Sequence, residues 1–370
     1  MLVERPRQAR PEESDDLVDL ISTVFRFDYY RRDYMLTGMR RPLMQTGRVI
    51  VEEGKPVSYI FAHDTAFRMY GCTTNISSIG CVCTREDQRN KGLASAILTH
   101  HIERLAGAGV RLMVVSGGRG LYRRNQCVPA GPAYEAKFTP DALPAAPPDL
   151  SVRRVTLDDW PTLAPFYQAE PAHFVRPADL EQSLCFWWNC YGTEIYLVES
   201  DGCPVAYAAL TIHRGRDEHG RRVVEYAGSR AALLDGLPLL FQATDAPLII
   251  FAALAQDADL RYRFSRLGLA ITWRTISGTI RLIDLPGLMD DLQGYLAERL
   301  PERDLAHLSF SQGGGNCTFS LGEETLTLDL AAAARLVCGG PDAPQVPGAL
   351  GRVLSAIFPL PTIQPGLNYV

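Results

Sequence analysis

The sequence predicts an α/β protein of the mixed (α+β) kind: two tandem domains, each a mixed sheet flanked by helices, followed by a small α/β domain. Three observations carry this expectation. Helical and extended periodicities alternate through residues 1–138. The same order of signals returns after a Pro-rich stretch at 139–150, including a second hairpin signature, as an internal duplication would produce. A third block opens at Asp284-Leu285-Pro286-Gly287-Leu288 with its own amphipathic helix and strands. The chain is 370 residues long, too much for one ordinary core. Boundaries placed between the blocks give domains at 1–146, 147–284 and 285–370.

In the first block, residues 11–25 begin acidic and repeat Leu17, Leu20, Ile21 and Val24 at helical spacing. A second helix, rich in aromatics and charge, is expected over 28–39. Strands at 48–52 and 57–64 flank Glu53-Gly54-Lys55-Pro56, a hairpin signal. A strand follows at 76–84. Residues 93–105 place Leu93, Ile97, Leu98, Ile102 and Leu105 on one helical face, and 112–116 form a further strand.

The second block repeats the pattern. A strand at 152–155, a helix at 158–168 and a hairpin around Ser200-Asp201-Gly202 precede a buried strand at 247–253. A helix at 257–267 and strands at 270–273 and 278–283 complete it. The third block is read as one helix over 286–300, three short strands at 308–310, 318–321 and 325–328, and a helix at 331–337. A Pro/Gly-rich stretch at 339–351 then leads into a short tail.

Composition excludes several classes. The hydrophobic fraction of 46% belongs to a globular chain. The net charge is −5 with both signs interspersed, so no basic stripe offers itself to nucleic acid. No apolar run approaches the ~20 residues of a membrane span, and the charged start MLVERPRQARPEESDD is no secretory signal. A cytoplasmic protein is expected. Its nine cysteines have no framework spacing and read as free thiols. Cys81 and Cys83 form a C-x-C pair that no second pair answers, so no metal is expected. His63, His100, His101, His173 and His213 lack ligand-type partners at useful spacing and read as core or surface residues. Trp187 and Trp188 read as packing residues.

One segment carries chemistry. Gly80-Cys81-Val82-Cys83-Thr84 ends a strand, a charged loop follows, and Arg89-Asn90-Lys91-Gly92-Leu93-Ala94-Ser95 leads directly into a helix. A helix start presents unpaired N–H groups and the positive end of the macrodipole, a seat for a pyrophosphate. Gly92 allows close backbone approach, small Ala94 leaves room, and Arg89 and Lys91 add positive charge. The alternative phosphate motifs, G-x-x-x-x-G-K-[ST] and a post-strand G-x-G-x-x-G, are absent.

The stretch Gln88-Arg89-Asn90-Lys91-Gly92-Leu93-Ala94-Ser95 resembles the Arg/Gln-x-x-Gly-x-Gly/Ala signature of the GNAT acetyltransferase superfamily. The resemblance implies that acetyl-CoA is the co-substrate, that the strand ending at Thr84 splays from its neighbour, and that Val82, Cys83 and Thr84 meet the pantetheine arm. Arg89, Asn90, Lys91, Gly92, Leu93, Ala94 and Ser95 would then cradle the pyrophosphate, with Ser116 at the end of the next strand. Tyr122 matches the tyrosine that the family places beside the cofactor sulfur, where a general acid can protonate the departing thiolate. The family's glycine four residues after that tyrosine is Gln126 here.

The whole chain is similar to the enhanced-intracellular-survival type: a competent GNAT domain, a second without the motif (Tyr226-Ala227-Gly228-Ser229-Arg230-Ala231 stands at the loop position), and a sterol-carrier-like third domain. That type implies a C-terminal carboxylate, here of Val370, as general base, and a homo-oligomer, a hexamer by the same likeness. The tail from Phe358 to Val370 is proline-stiffened and apolar, which fits a docked segment. Family helices one and two wall the acceptor pocket, so Asp28 and Tyr30 are candidates to hold a cationic amine of a small molecule or a lysine. Amine attack is expected to be direct, since neither Cys81 nor Cys83 has a histidine beside it in sequence. The alternative reading is a non-catalytic acyl-CoA sensor.

Overall fold

Tyr70 and Gly71 both take positive φ, 45° and 83°, and so make the tight turn of a long hairpin at the centre of the first sheet. A computed structural model describes residues 5–26, 45–176, 193–212, 220–276 and 278–368. The chain divides into two units, one built from 1–130 and 275–360, the other from 131–274 and 361–368. The helix expected over 28–39 and the pair Trp187-Trp188 lie outside the described residues.

In the first unit the sheet runs β1 (Arg7–Gln8), β2 (Arg48–Glu52), β3 (Lys55–Met69), β4 (Cys72–Thr84), β5 (Leu112–Val115) and then the strand Thr279–Leu282. Neighbours are antiparallel except β4 and β5. The parallel pair needs a crossover, and helix α2 (Leu93–Gly107) supplies it. Ile97, Leu98 and Leu105 of α2 are fully buried, in a cluster with Ile60, Ala62, Ile79, Met113 and Val115. Helix α1 (Ser14–Phe25) buries Leu17, Val18 and Ile21 and packs on β3 and β4. The hairpin is longer than its apolar runs suggest because its outer half mixes polar with apolar residues, burying Phe67, Met69 and Thr74 and exposing Arg68, Thr73 and Asn75.

The later part of this unit holds a three-stranded antiparallel sheet, Leu308–Gly313, Asn316–Leu321 and Glu324–Asp329. The expected single helix over 286–300 is instead two, Leu285–Asp291 and Gln293–Arg299, broken at Leu292 (φ −101°, ψ 17°). The break brings the Tyr295 backbone N–H to the Cys72 thiol, 3.3 Å away, and sets Gly294 against the same sulfur. A helix over Gly348–Ile357 was hidden in the Pro/Gly-rich stretch; its Leu350, Val353, Leu354 and Ile357 recur at helical spacing. Arg111 ties this region to the first sheet by bonds to Asp284 and Asp291, and Thr74 also donates to Asp291.

The second unit has a seven-stranded sheet in the order Thr272–Thr275, Pro132–Phe138, Ile249–Leu254, Arg221–Gly228, Cys203–Ile212, Glu194–Ser200 and Leu150–Arg154. Again one pair is parallel, Arg221–Gly228 with Ile249–Leu254. The tail segment 361–368 docks on this unit. Glu225 accepts from Leu367 N (2.9 Å), Tyr207 Oη (2.7 Å) and Arg176 (2.5 and 3.0 Å), and Arg176 Nε donates to Asn368 Oδ1. The Arg176–Glu225 pair is 5% exposed on both sides, so its charges are matched where water cannot screen them.

One buried titratable group sits in the first unit's core. His101 of α2 is 0% exposed, and burial pushes its pKa down to about 4. The unfolded chain therefore takes up this proton first as pH falls. Stability from His101 is complete above about pH 6.5 and is lost between there and about pH 4, to a total of roughly 3 kcal/mol. Denaturant unfolding at stepped pH should show His101→Gln losing less stability than the wild type across this window; parallel curves would contradict the burial argument.

Candidate active site

β4 outruns its parallel partner. Pairing spans Ile76 to Ile79 against Leu112 to Val115, while β4 continues to Thr84 with only β3 beside it. Within this overhang, Tyr59 opposes Cys83 and Phe61 opposes Gly80, so β4 carries one extra residue, a β-bulge. Cys81 accommodates it with φ 47°, a left-handed conformation that costs a non-glycine residue on the order of 1 kcal/mol. Gly80, interior to a strand, was the sequence signal for this bulge.

Val82, Cys83 and Thr84 form the end of the overhang. Ser58, fully buried, donates to Cys83 O (3.1 Å) and lies 2.8 Å from Thr84 Oγ1, which fixes the strand's last turns of pleat. Sequence reasoning missed Ser58; a serine in an apolar strand was the available sign. The Cys83 thiol is buried and its pKa is pushed well above the ordinary value, so it stays protonated and is a poor nucleophile.

Arg85 and the 3₁₀ turn Glu86–Gln88 lead into Arg89, Asn90 (φ 65°) and Gly92 (φ 80°). The left-handed Gly92 is the N-cap of α2, and no side chain caps the helix. A Cβ at Gly92 would meet nothing within 4 Å, so the approach to the free N–H groups of Leu93, Ala94 and Ser95 is open. Arg89, Asn90 and Lys91 are exposed at the mouth. Gln88 anchors the loop, donating to Glu52 Oε2 (2.5 Å) and accepting from Lys91 Nζ (2.6 Å). Glu52 was not singled out in the sequence, and Gln88 only as the first residue of the signature stretch, with no role assigned. Beside the loop lies a cleft of about 500 Å³ lined by Leu20, Val24, Arg26, Arg85, Asp87 and Arg89, among others.

On the other side of the opening β5 ends at Val115, followed by half-buried Ser116. Helix α3 (Gly120–Arg124) then turns Tyr122 inward, 6% exposed, into the cluster of Ile79, Ile97 and Val115, against which Val82 and Leu93 also pack. Gly117 leaves room for the Tyr122 ring, whose Cε2 would lie 3.1 Å from a Cβ there. The overhang, helix start, end of β5 and Tyr122 thus converge on one wedge. Asp28, Tyr30 and Val370 lie outside the described residues.

Residues 5–127 match the model of the acetyltransferase (GNAT) domain. The chain carries a GNAT domain. Members use acetyl-CoA as co-substrate and act on amines, so this chain is an acyl-CoA-dependent N-acyltransferase. Solved structures are similar in fold along almost the whole chain. A GCN5-related N-acetyltransferase from Kribbella flavida has a TM-score of 0.67 at 15% identity, covering 97% of this chain and 96% of its own. Eis1 from Mycobacterium abscessus has a TM-score of 0.64 at 13% identity, covering 98% of each. A GCN5-related N-acetyltransferase from Anabaena variabilis has a TM-score of 0.64 at 14% identity, covering 90% of each. Comparison with curated protein sequences finds no match. Among the described residues no helix is long and apolar enough to cross a membrane, and no three His, Cys, Asp or Glu side chains gather to hold a metal.

The second unit has a wedge of the same kind with different contents. Its parallel strands pair only at Arg221 with Ile249 and Arg222 with Ile250, and a cavity of about 570 Å³ opens beyond. Here Gly228 N–H donates to Glu170 (3.2 Å), Arg230 binds Glu170 and Asp257, and Ser229 caps the following helix. The donors that would receive a phosphate are already bound to the chain's own carboxylates.

If the open start of α2 holds a phosphate, Gly92→Asp puts a carboxylate on that spot and strains a φ of 80°. Calorimetry should show coenzyme A affinity lowered about tenfold or more; unchanged affinity would place the phosphates elsewhere.

Proposed function

We propose that this protein transfers the acetyl group of acetyl-CoA to a primary amine, of a small molecule or a lysine side chain, by direct attack. The observation that carries the proposal is the bulged overhang of β4, joined through residues 85–92 to an uncapped helix start. The overhang supplies backbone groups to an extended arm, and the helix start supplies N–H groups to the phosphates. A backbone N–H near Val82 or Cys83 is suited to the negative charge that develops on the thioester oxygen.

Tyr122 acts as general acid toward the leaving thiolate. Its burial in the cluster at the wedge supports this, because an acid there is shielded from bulk water. The attacking ammonium must first lose a proton, and family resemblance assigns that task to the Val370 carboxylate. Asp28 and Tyr30 are proposed to hold the cationic acceptor. The same resemblance points to a homo-oligomer, with the third region as a sterol-carrier-like domain.

The test follows free thiol release from acetyl-CoA with a panel of amines: polyamines, aminoglycosides and a lysine peptide. Tyr122→Phe should lower kcat by about 10²-fold or more while coenzyme A still binds. A chain lacking Tyr369 and Val370 should likewise bind coenzyme A but not turn over. Tight coenzyme binding with no release for any amine would favour a non-catalytic acyl-CoA sensor; full turnover by the shortened chain would remove Val370 as base.

A further inference from the structure

Four residues of α2 are buried: Ile97, Leu98, Leu105 and His101. Three are aliphatic, as the inner face of a helix on a sheet requires. The fourth places an imidazole in the same layer at 0% exposure. Its Nε2 lies 3.1 Å from Ile60 O. A carbonyl only accepts, so Nε2 carries the proton and Nδ1 is bare. Among the described residues Nδ1 has no hydrogen-bond partner. Burying an unpaired ring nitrogen is unfavourable, so the bond to Ile60 is what this side chain contributes that a leucine would not.

Ile60 occupies a particular place. Tyr59 opposes Cys83 and Phe61 opposes Gly80, so Ile60 by itself faces both residues of the bulge, Cys81 and Val82. On its other side it pairs with Arg48, the first residue of β2, beyond which β3 has no β2 partner. Its carbonyl therefore stands where the ladders on both flanks change. A bulge can move along a strand by one residue, and each step turns the side chain it passes to the opposite face. A hydrogen bond from outside the sheet, to the residue opposite the bulge, holds it in one place.

We propose that His101 is a positioning residue for acyl transfer: its Nε2–H, bound to Ile60 O, locks the bulge at Cys81–Val82 and so sets the direction of the overhang's backbone amides. This rests on the acyl-CoA reading of the wedge. His101 touches neither substrate, and the phosphate seat at Gly92–Ser95 is formed by other atoms. Loss of the bond should therefore disturb the reacting end of the site while leaving the anchoring end intact.

Two polar substitutions separate this role from packing. In His101→Gln the side-chain amide nitrogen reaches the position of Nε2; in His101→Asn it stops short, near that of Nδ1. Each variant and the wild type are measured for coenzyme A affinity by calorimetry, for unfolding midpoint, and for thiol release from acetyl-CoA with the best amine of the panel. His101→Asn should lose on the order of 10²-fold in kcat with coenzyme A affinity within about threefold, and His101→Gln should recover most of that kcat. Wild-type kcat in both variants would overturn the proposal. So would a loss of coenzyme A affinity in His101→Asn equal to its loss of kcat, the mark of general damage. A wild-type chain that binds no coenzyme A would instead bring down the acyl-CoA reading, and this inference with it.

Discussion

The divergence of β4 from β5 after Ile79 and Val115 is the constraint on which the site depends. Paired strands leave no room between them. By ending the parallel ladder and inserting a bulge at Cys81, the chain opens a wedge whose wall is a strand edge with its own polar backbone exposed. Everything else serves to hold that edge in place. Ser58 ties down the Cys83 carbonyl, Gln88 and Glu52 brace the loop, and Gly92 turns the backbone into α2 without covering its first N–H groups. The left-handed Cys81 is a local cost that the surrounding pairing sustains, as expected where backbone is shaped for binding.

In the second unit a wedge of the same kind has its donors engaged within the chain. Its parallel strands diverge sooner and open onto a cavity of about 570 Å³, yet Glu170 takes the Gly228 N–H and two Arg230 nitrogens, while Asp257 takes a third. An anionic ligand there would have to displace two carboxylates. In the first unit the equivalent backbone is followed by an uncapped helix and by exposed Arg89 and Lys91. The difference between the two is electrostatic before it is steric.

Much of the site was legible because its parts are contiguous. The strand, the Arg89–Gly92 loop and the helix periodicity from Leu93 sit within one short run of sequence, and each is a local signal. Contributions from distant strands were not legible. The placing of Thr279–Leu282 beside β5, of Pro132–Phe138 in the second sheet, and of Ser58 behind Cys83 depend on long-range pairing that no local pattern encodes. The break at Leu292 was missed for the same reason: Leu288, Leu292, Leu296 and Leu300 keep helical spacing, and only the contact with Cys72 shows why the helix stops and restarts. His101 was read as an unremarkable histidine, since its neighbour Ile60 lies far off in sequence.

Hydrogen–deuterium exchange with and without saturating acetyl-CoA tests the central claim most directly, because it reports each wedge separately in the intact chain. Binding in the first wedge should slow exchange over residues 80–95, covering the overhang and the start of α2, and leave 226–231 of the second wedge unchanged. Protection at 226–231 with none at 80–95 would contradict the assignment of the coenzyme to the β4 overhang.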